Sequence, residues 1–196
     1  MITKDIKELN QPCVWVGTVE EGEEIAVKLF RELITSKNGI GLAANQIGID
    51  SRVCVINVKQ PLAFVNPRIT DKSEDTFLSI EGCLSFPNKQ VRVKRHQWVV
   101  VECDNFKSKM MFSAETDKDI DATECACIQH EIDHINGITM FDREFIIEPI
   151  VTDKKYGRNE KVGITDGKDY KEIKYKKAKP LIDSGKWEIY IGGPIT

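Results

Sequence analysis

The chain has 196 residues, of which 41% are hydrophobic and 30% charged, and its formal net charge is −3. No apolar run approaches the roughly 20 residues that a membrane-spanning helix needs, and the start MITKDIKELNQ lacks the apolar stretch of a signal peptide. We therefore expect a cytoplasmic protein with no membrane partner. A monomer is the oligomeric state that we expect. The negative net charge provides no general attraction for the phosphate backbone of a nucleic acid, so DNA is not expected as a partner.

The six cysteines show no disulfide-type spacing, and in a reducing compartment we expect them to remain thiols. Cys125 and Cys127 form a C-x-C pair, but on a helix their side chains point roughly 200° apart. We interpret this pair as small core residues.

The first predicted helix begins after Thr18, where Thr18 and Glu21 match a capping box. Its apolar residues recur at helical spacing, at Ile25, Ala26, Leu29, Phe30, Leu33 and Ile34. Asn38-Gly39 is expected to stop it. The β-branched run at 52–58 then predicts a buried strand.

Further strands are predicted at 62–65 and 110–113, and the run VRVKRHQWVVVE at 91–102 predicts one or two strands. We expect the basic stretch within it, Val93 to Gln97, to be exposed. A second helix is predicted from about Ile120 to Asn136, capped by Asp119 or Asp121 and closed at Gly137. This order of elements indicates an α+β fold and not alternating βαβ units.

Beyond residue 148 the composition shifts to lysine, glycine and tyrosine. Strand-like patches occur at 172–175 and 187–191. We therefore predict a catalytic domain over 1–148 and a β-rich C-terminal extension over 149–196. Extra strand packing is the favoured role of the extension. The alternative is a contact with the ribosome, suggested by a cluster of five lysines, Lys171, Lys174, Lys176, Lys177 and Lys179.

The second predicted helix contains H-E-x-x-H, formed by His130, Glu131 and His134. Histidines four residues apart lie on one helix face and can share a metal ion, while the glutamate can reach a water on that ion. The alternative is a pair of ordinary helix histidines. Apolar flanking residues and a total of only three histidines favour the metal interpretation.

A catalytic metal site of this type needs a third protein ligand. In the metzincin motif H-E-x-x-H-x-x-G-x-x-H the third ligand is the last histidine. Phe141 replaces that histidine here, so the chain does not match the motif. His96 lies in the basic run and is a weak candidate. Cys83, in E-G-C-L-S at 81–85, is the stronger one, because a metal would hold its sulfur as thiolate.

A third segment, G-I-G-L-A-A-N-Q at 39–46, is rich in small residues and ends in Gln46, whose amide can donate to an oxyanion. It lacks the Lys-Ser/Thr pair of a P-loop, so it does not indicate nucleotide binding.

These three segments, in this order and spacing, resemble the three sequence signatures of peptide deformylases, and the similarity runs from about Glu23 to Arg143. The resemblance implies the peptide-deformylase fold, with antiparallel or mixed β-sheets around a central helix that carries H-E-x-x-H. It also implies the reaction: removal of the N-formyl group from the formyl-methionine of new polypeptides, releasing formate.

Position by position, the resemblance implies metal ligands, a general acid/base and a set of substrate contacts. The ligands would be Cys83, His130 and His134, and the acid/base Glu131. Gln46 and the N–H of Leu84 would face the formyl oxygen, Ile40 and Gly41 would bind the peptide main chain, and Glu81 and Gly82 would border the methionine pocket. Asp133 resembles the family's aspartate beside the second histidine and is expected to lie just behind the metal ligands. One divalent metal is implied, Fe²⁺ as the native ion, with Zn²⁺, Ni²⁺ or Co²⁺ as alternatives.

Two positions depart from the family pattern: Asn45 stands where many members carry proline or threonine, and Gln90 where many carry arginine. Two other functions also remain open. A zinc endopeptidase would use the same H-E-x-x-H without Cys83, and a protein with a structural zinc would need four closed ligands, of which only three can be named.

Overall fold

The computed structural model describes residues 2–116, 118–146 and 154–190. It separates the chain into two compact units, Met1–Glu144 and Phe145–Thr196. The boundary that we predicted at residue 148 falls outside the described residues.

Among its described residues, the first unit contains three α-helices, eight strands and two short 3-10 helices. The α-helices are α1 (Ile6–Leu9), α2 (Val19–Thr35) and α3 (Asp119–Ile135). The strands are β1 (Gly41–Ala43), β2 (Val53–Asn57), β3 (Pro61–Val65), β4 (Arg68–Lys72), β5 (Thr76–Cys83), β6 (Phe86–His96), β7 (Trp98–Glu102) and β8 (Met110–Ser113). They form sheets of order β1-β2-β3 and β4-β7-β8 and a β5-β6 hairpin, with every pairing antiparallel. The predicted α+β class is confirmed.

Helix α2 begins as predicted, because the side chain of Thr18 accepts a hydrogen bond from the Glu21 N–H at 3.2 Å. Its apolar face packs in one core cluster with side chains of the β1-β2-β3 sheet. The helix ends at Thr35, before the predicted stop at Asn38. Ser36 is already extended there, and its hydroxyl donates to the Leu33 carbonyl.

Helix α3 is buried along its whole second half, from Glu124 to Ile135. It packs against β1, β2 and β8. We predicted that Asp119 or Asp121 caps this helix, which is wrong. Lys118 occupies the N-cap position and makes no side-chain hydrogen bond there, and Asp119 is the first helical residue. Gly137 follows its end at φ 74°, as expected for a residue that closes a helix.

The hairpin of β5 and β6 is irregular where it turns. Gly82 pairs with Gln90, but the next residue of β5, Cys83, pairs with Phe86. Pro87, Asn88 and Lys89 therefore bulge out of the ladder, and Asn88 takes a left-handed conformation at φ 66°. The hairpin places Cys83 beside the bulge.

The second unit has its own small core. Strands β9 (Lys161–Thr165), β10 (Tyr170–Lys174) and β11 (Glu188–Tyr190) form an antiparallel sheet of order β10-β9-β11, with helix α4 (Tyr175–Asp183) between the last two in sequence. Its buried hydrophobic residues are Val162, Ile164 and Ala178. Two strands overlap our predicted patches, whereas β9 and α4 were not predicted. Among the described helices of the chain, none is long and apolar enough to cross a membrane.

Candidate metal and active site

Helix α3 carries the H-E-x-x-H motif on its buried half. The rings of His130 and His134 have their centroids 4.8 Å apart and lie at 78° to each other. The two histidines are 8% and 1% exposed, and Glu131 between them is 4% exposed. Such burial of three polar side chains on one helix is costly unless they bind one another or a ligand.

Cys83 meets this motif from the end of β5. Its Sγ lies 3.2 Å from Nε2 of His134. One ligand atom from each of Cys83, His130 and His134 lies within 4.8 Å of the other two, and no other such group of histidine, cysteine and carboxylate side chains occurs among the described residues. The three predicted metal ligands are thus brought together by two segments distant in sequence.

A buried ion pair fixes the orientation of His130. Its Nδ1 lies 2.9 Å from Oε2 of Glu81, and Arg95 binds both oxygens of that carboxylate, at 2.7 and 2.8 Å. Burial opposes ionisation of Glu81, but the hydrogen bonds from Arg95 and His130 prevail and lower its pKa to about 2. An ionised Glu81 accepts a hydrogen bond from Nδ1–H of His130, which leaves the Nε2 lone pair of that ring for a metal ion.

Arg95, which binds the carboxylate that orients His130, was missed by the sequence interpretation. We expected the basic run around it to be exposed, but Arg95 is 3% exposed. A signal was present, because the alternation of β6 places Arg95 on the same inward face as Val91 and Val93.

The same arginine also binds Asp133, which Arg143 binds from the other side. We expected Asp133 to lie just behind the metal ligands, and its side-chain partners among the described residues are these two arginines. Nδ1 of His134 has no hydrogen-bond partner within the described part of the chain.

Glu131 faces the main chain of β1. A Cβ built on Gly41 would lie 2.4 Å from Oε1 of Glu131 and 2.8 Å from Sγ of Cys127. Only glycine leaves room for the carboxylate here. Burial raises the pKa of Glu131 to about 7, which suits a group that accepts and returns a proton near neutral pH.

Gln46 approaches Cys83 with a fixed amide. Its Oε1 accepts the Ala43 N–H at 2.9 Å, so the NH₂ group must point the other way. There Nε2 lies 3.1 Å from Oγ of Ser85 and 3.3 Å from Sγ of Cys83. The neighbouring Asn45 donates to the His134 carbonyl at 2.7 Å, which ties this segment directly to α3.

A cleft of about 770 Å³ opens above these groups. Nine of the ten predicted site residues line it, namely Ile40, Gly41, Gln46, Glu81, Gly82, Cys83, Leu84, His130 and Glu131. His134, the tenth, is buried at 1% exposure.

The weaker candidates do not join the three ligands, although Cys127 lines the cleft. His96 does not join the ligand group, and its Nδ1 lies 2.7 Å from the Ser73 carbonyl. Cys125 and Cys127 are buried in the core, and neither belongs to the ligand group.

Known proteins share this fold and this sequence pattern. The family model of polypeptide deformylase matches residues 2–149. A peptide deformylase of Rhizobium meliloti (strain 1021) is 39% identical over 140 residues, which cover 68% of this chain and 78% of the relative.

Two solved structures show the same similarity. The PDF of the Vibrio parahaemolyticus bacteriophage VP16T, solved with actinonin, has 34% identity and a TM-score of 0.60, with 70% of this chain and 98% of that one covered. The peptide deformylase of Thermotoga maritima has 29% identity and a TM-score of 0.63, with 74% of this chain and 96% of that one covered. The chain therefore belongs to the peptide deformylase family, the enzymes that remove the formyl group from the N-terminal methionine of nascent polypeptides.

Proposed function

We propose that Cys83, His130 and His134 hold one divalent metal ion, at which the formyl group of an N-formylmethionyl peptide is hydrolysed to formate. The observation that carries this assignment is the convergence of the three donor atoms within 4.8 Å, next to the buried carboxylate of Glu131. Two imidazoles and one thiolate leave a fourth tetrahedral position open, as a catalytic site requires.

The donor set suits several cations. Imidazole and thiolate ligands bind Fe²⁺, Zn²⁺, Ni²⁺ and Co²⁺, and we propose Fe²⁺ as the native ion from the family resemblance. When bound, the ion supplies Lewis acidity and makes water a usable nucleophile near neutral pH.

Glu131 is the proposed general acid and base. It takes a proton from the attacking water and delivers it to the leaving amine of methionine. Its raised pKa, which burial causes, keeps both forms accessible at neutral pH. Gly41 supports this role because it leaves the space that the carboxylate occupies.

Gln46 and the Leu84 N–H are the proposed donors to the developing oxyanion. The bond from Ala43 keeps the Gln46 NH₂ group turned toward Cys83, so no reorientation is needed during the reaction. A single donor of this kind is typically worth about 3 kcal/mol of transition-state stabilisation.

The peptide is proposed to lie in the cleft between two backbone segments. Ile40 and Gly41 would offer main-chain hydrogen bonds on one side, and Glu81 and Gly82 would border the methionine side chain on the other. The carboxylate of Glu81 is already bound by Arg95 and His130, so we assign its part at the pocket to the main chain.

We further propose the division into a catalytic domain, 1–148, and an extension, 149–196. The family match to residues 2–149 supports this boundary. In the catalytic domain α3 would be the central helix that carries the motif, a role that the burial of Glu124 to Ile135 supports. A monomer acting in the cytoplasm remains our expectation.

A ribosome contact by the extension is a second proposal. Lys176 and Lys177 are exposed on α4 and have no ion-pair partner recorded among the described residues, whereas Lys179 pairs with Asp183 at 2.7 Å. Co-sedimentation with ribosomes tests this contact: the wild-type chain should pellet, and a variant with both lysines changed to glutamine should not.

The deciding experiment measures formate release from a formyl-Met-Ala-Ser peptide by protein purified without oxygen, together with metal analysis. We expect about one metal ion per chain and activity that is lost on chelation. Glu131→Gln should keep the metal and lose activity by about 10²-fold or more.

Cys83→Ala separates this proposal from the alternatives. It should lose the metal here, whereas a zinc endopeptidase that does not use the cysteine would remain metallated. A fully metallated wild type that releases no formate would contradict the assignment.

A further inference from the structure

Two lysines stand at the rim of the cleft. Lys37 lies in the segment between α2 and β1, and Lys89 lies in the bulge of β6. Both line the cleft, both are exposed, and neither has an ion-pair partner recorded in the described part of the chain. They reach the cleft from two different elements of the fold.

Within the described part of the chain, no acidic side chain lines the rim of the cleft beside these lysines. The acidic residues that line the cleft in the described ranges are Glu81 and Glu131, both of them buried, and Arg95 forms an ion pair with the first. The polar residues that line the cleft near the lysines, Asn38, Asn88 and Gln90, are uncharged. The outer part of the cleft therefore carries positive charge, although the whole chain has a net charge of −3.

The bulge determines where Lys89 lies. The register shift between Gly82 and Cys83 expels three residues from the ladder, and the left-handed Asn88 turns the chain before Lys89. A Cβ on Gly82 would lie 3.6 Å from the Lys89 carbonyl, so the bulge lies close to the strand that ends at Cys83. The main chain of Lys89 thus lies beside Gly82, the residue that precedes Cys83, and Lys89 lines the same cleft.

We propose that Lys37 and Lys89 form a subsite for an acidic side chain, aspartate or glutamate, among the residues that follow formyl-methionine. This inference rests on the proposed function, because it requires the formyl end at Glu131 and the rest of the peptide leaving toward the rim. Exposed charges attract weakly, so each lysine should contribute about two- to fivefold in kcat/KM.

The test compares peptides that differ in one side chain and carry amidated C-termini, so that no terminal carboxylate competes. Formyl-Met-Asp-Ala, formyl-Met-Ala-Asp and their asparagine counterparts place the charge at the second or third position. Wild type should prefer aspartate over asparagine at one of these positions. The preference should shrink between about 0.02 M and 0.3 M salt, because exposed charges are screened.

The variants Lys37→Gln and Lys89→Gln, alone and combined, identify the residues responsible. The double variant should hydrolyse the asparagine peptides like wild type and lose the preference for aspartate. Charge reversal at both positions should favour a lysine peptide instead. Lys28→Gln is the matched control, because this exposed lysine lies on α2 and does not line the cleft.

The outcomes separate the two proposals. Equal hydrolysis of aspartate and asparagine peptides by an active wild type would overturn the subsite and leave the deformylase assignment intact. An unchanged preference in the double variant would also overturn it. Failure to hydrolyse any formylated peptide would instead reject the proposed function itself.

Discussion

Gly41 shows how a residue without a side chain can determine the position of a catalytic one. The carboxylate of Glu131 occupies the space where a Cβ at this position would lie, at a distance of 2.4 Å. Alanine would therefore push the carboxylate or the strand aside, because the side chains of Glu131 and Cys127 next to this position are buried.

We predict that Gly41→Ala lowers kcat by about tenfold or more while the metal content stays unchanged, because small misplacements of reacting groups are costly. Gly17→Ala is the control, because its Cβ would meet only Oε2 of Glu21, at 3.9 Å. Steady-state kinetics and metal analysis check both variants. An equal loss of activity in the two would argue against a specific contact with Glu131.

Arg95 is the buried cation that compensates two carboxylates, Glu81 and Asp133. We predict that Arg95→Met destabilises the metal-loaded protein by about 3–5 kcal/mol, because it leaves buried charge uncompensated. Arg68→Met should cost at most about 1 kcal/mol, since the exposed pair of Arg68 and Glu102 is screened by water. Urea unfolding measures both. Similar losses of unfolding free energy in the two variants would mean that the buried ion pairs of Arg95 stabilise the fold no more than an exposed pair does.

The site could be predicted where its chemistry is local in sequence. His130, Glu131 and His134 follow from one helical spacing, and Cys83 from a short motif. The partners of His130 could not be predicted, because the contact with Glu81 depends on how the β5-β6 hairpin folds over α3. That register is set by packing between distant segments, which local patterns do not encode.

At the scale of elements, the cap of α2 is a local interaction with a predictable energy. We predict that Thr18→Ala lowers the free energy of unfolding by about 1 kcal/mol, because the Glu21 N–H loses its acceptor. Thr18→Ser should retain most of the stability. Thermal unfolding should show a decrease of about 2–4 °C for alanine. If serine and alanine behave alike, the methyl group of Thr18 and not its hydroxyl would be the stabilising part.

Elements with a clear hydrophobic period were predictable, and those without one were not. Strands β2, β3 and β8 and helices α2 and α3 lie close to their predicted ranges. Strand β4 was missed because it is mostly exposed and charged, so it lacks the apolar pattern of a buried strand. Helix α4 was missed because Pro180 lies inside it and four of its nine residues are lysine or proline in exposed positions.

At the scale of the whole molecule, each unit has hydrophobic clusters of its own. The residues of three clusters belong to Met1–Glu144, and those of the fourth to Phe145–Thr196. We predict that a chain ending after residue 149 folds and keeps kcat/KM for a formylated tripeptide within about twofold, because a domain with its own core can fold alone. Circular dichroism and formate release measure this. A folded but inactive fragment would show that the extension contributes to catalysis.

The unequal burial of the six thiols has a consequence for chemical labelling. Cys83 is partly exposed, while the other five cysteines are buried, and burial raises the pKa of Cys54 and Cys127 well above the usual range. After chelation an alkylating reagent should modify one cysteine per chain quickly, and a bound metal ion should protect that same sulfur. The fraction of chains that escape alkylation would then count the metal-loaded molecules directly, without any substrate.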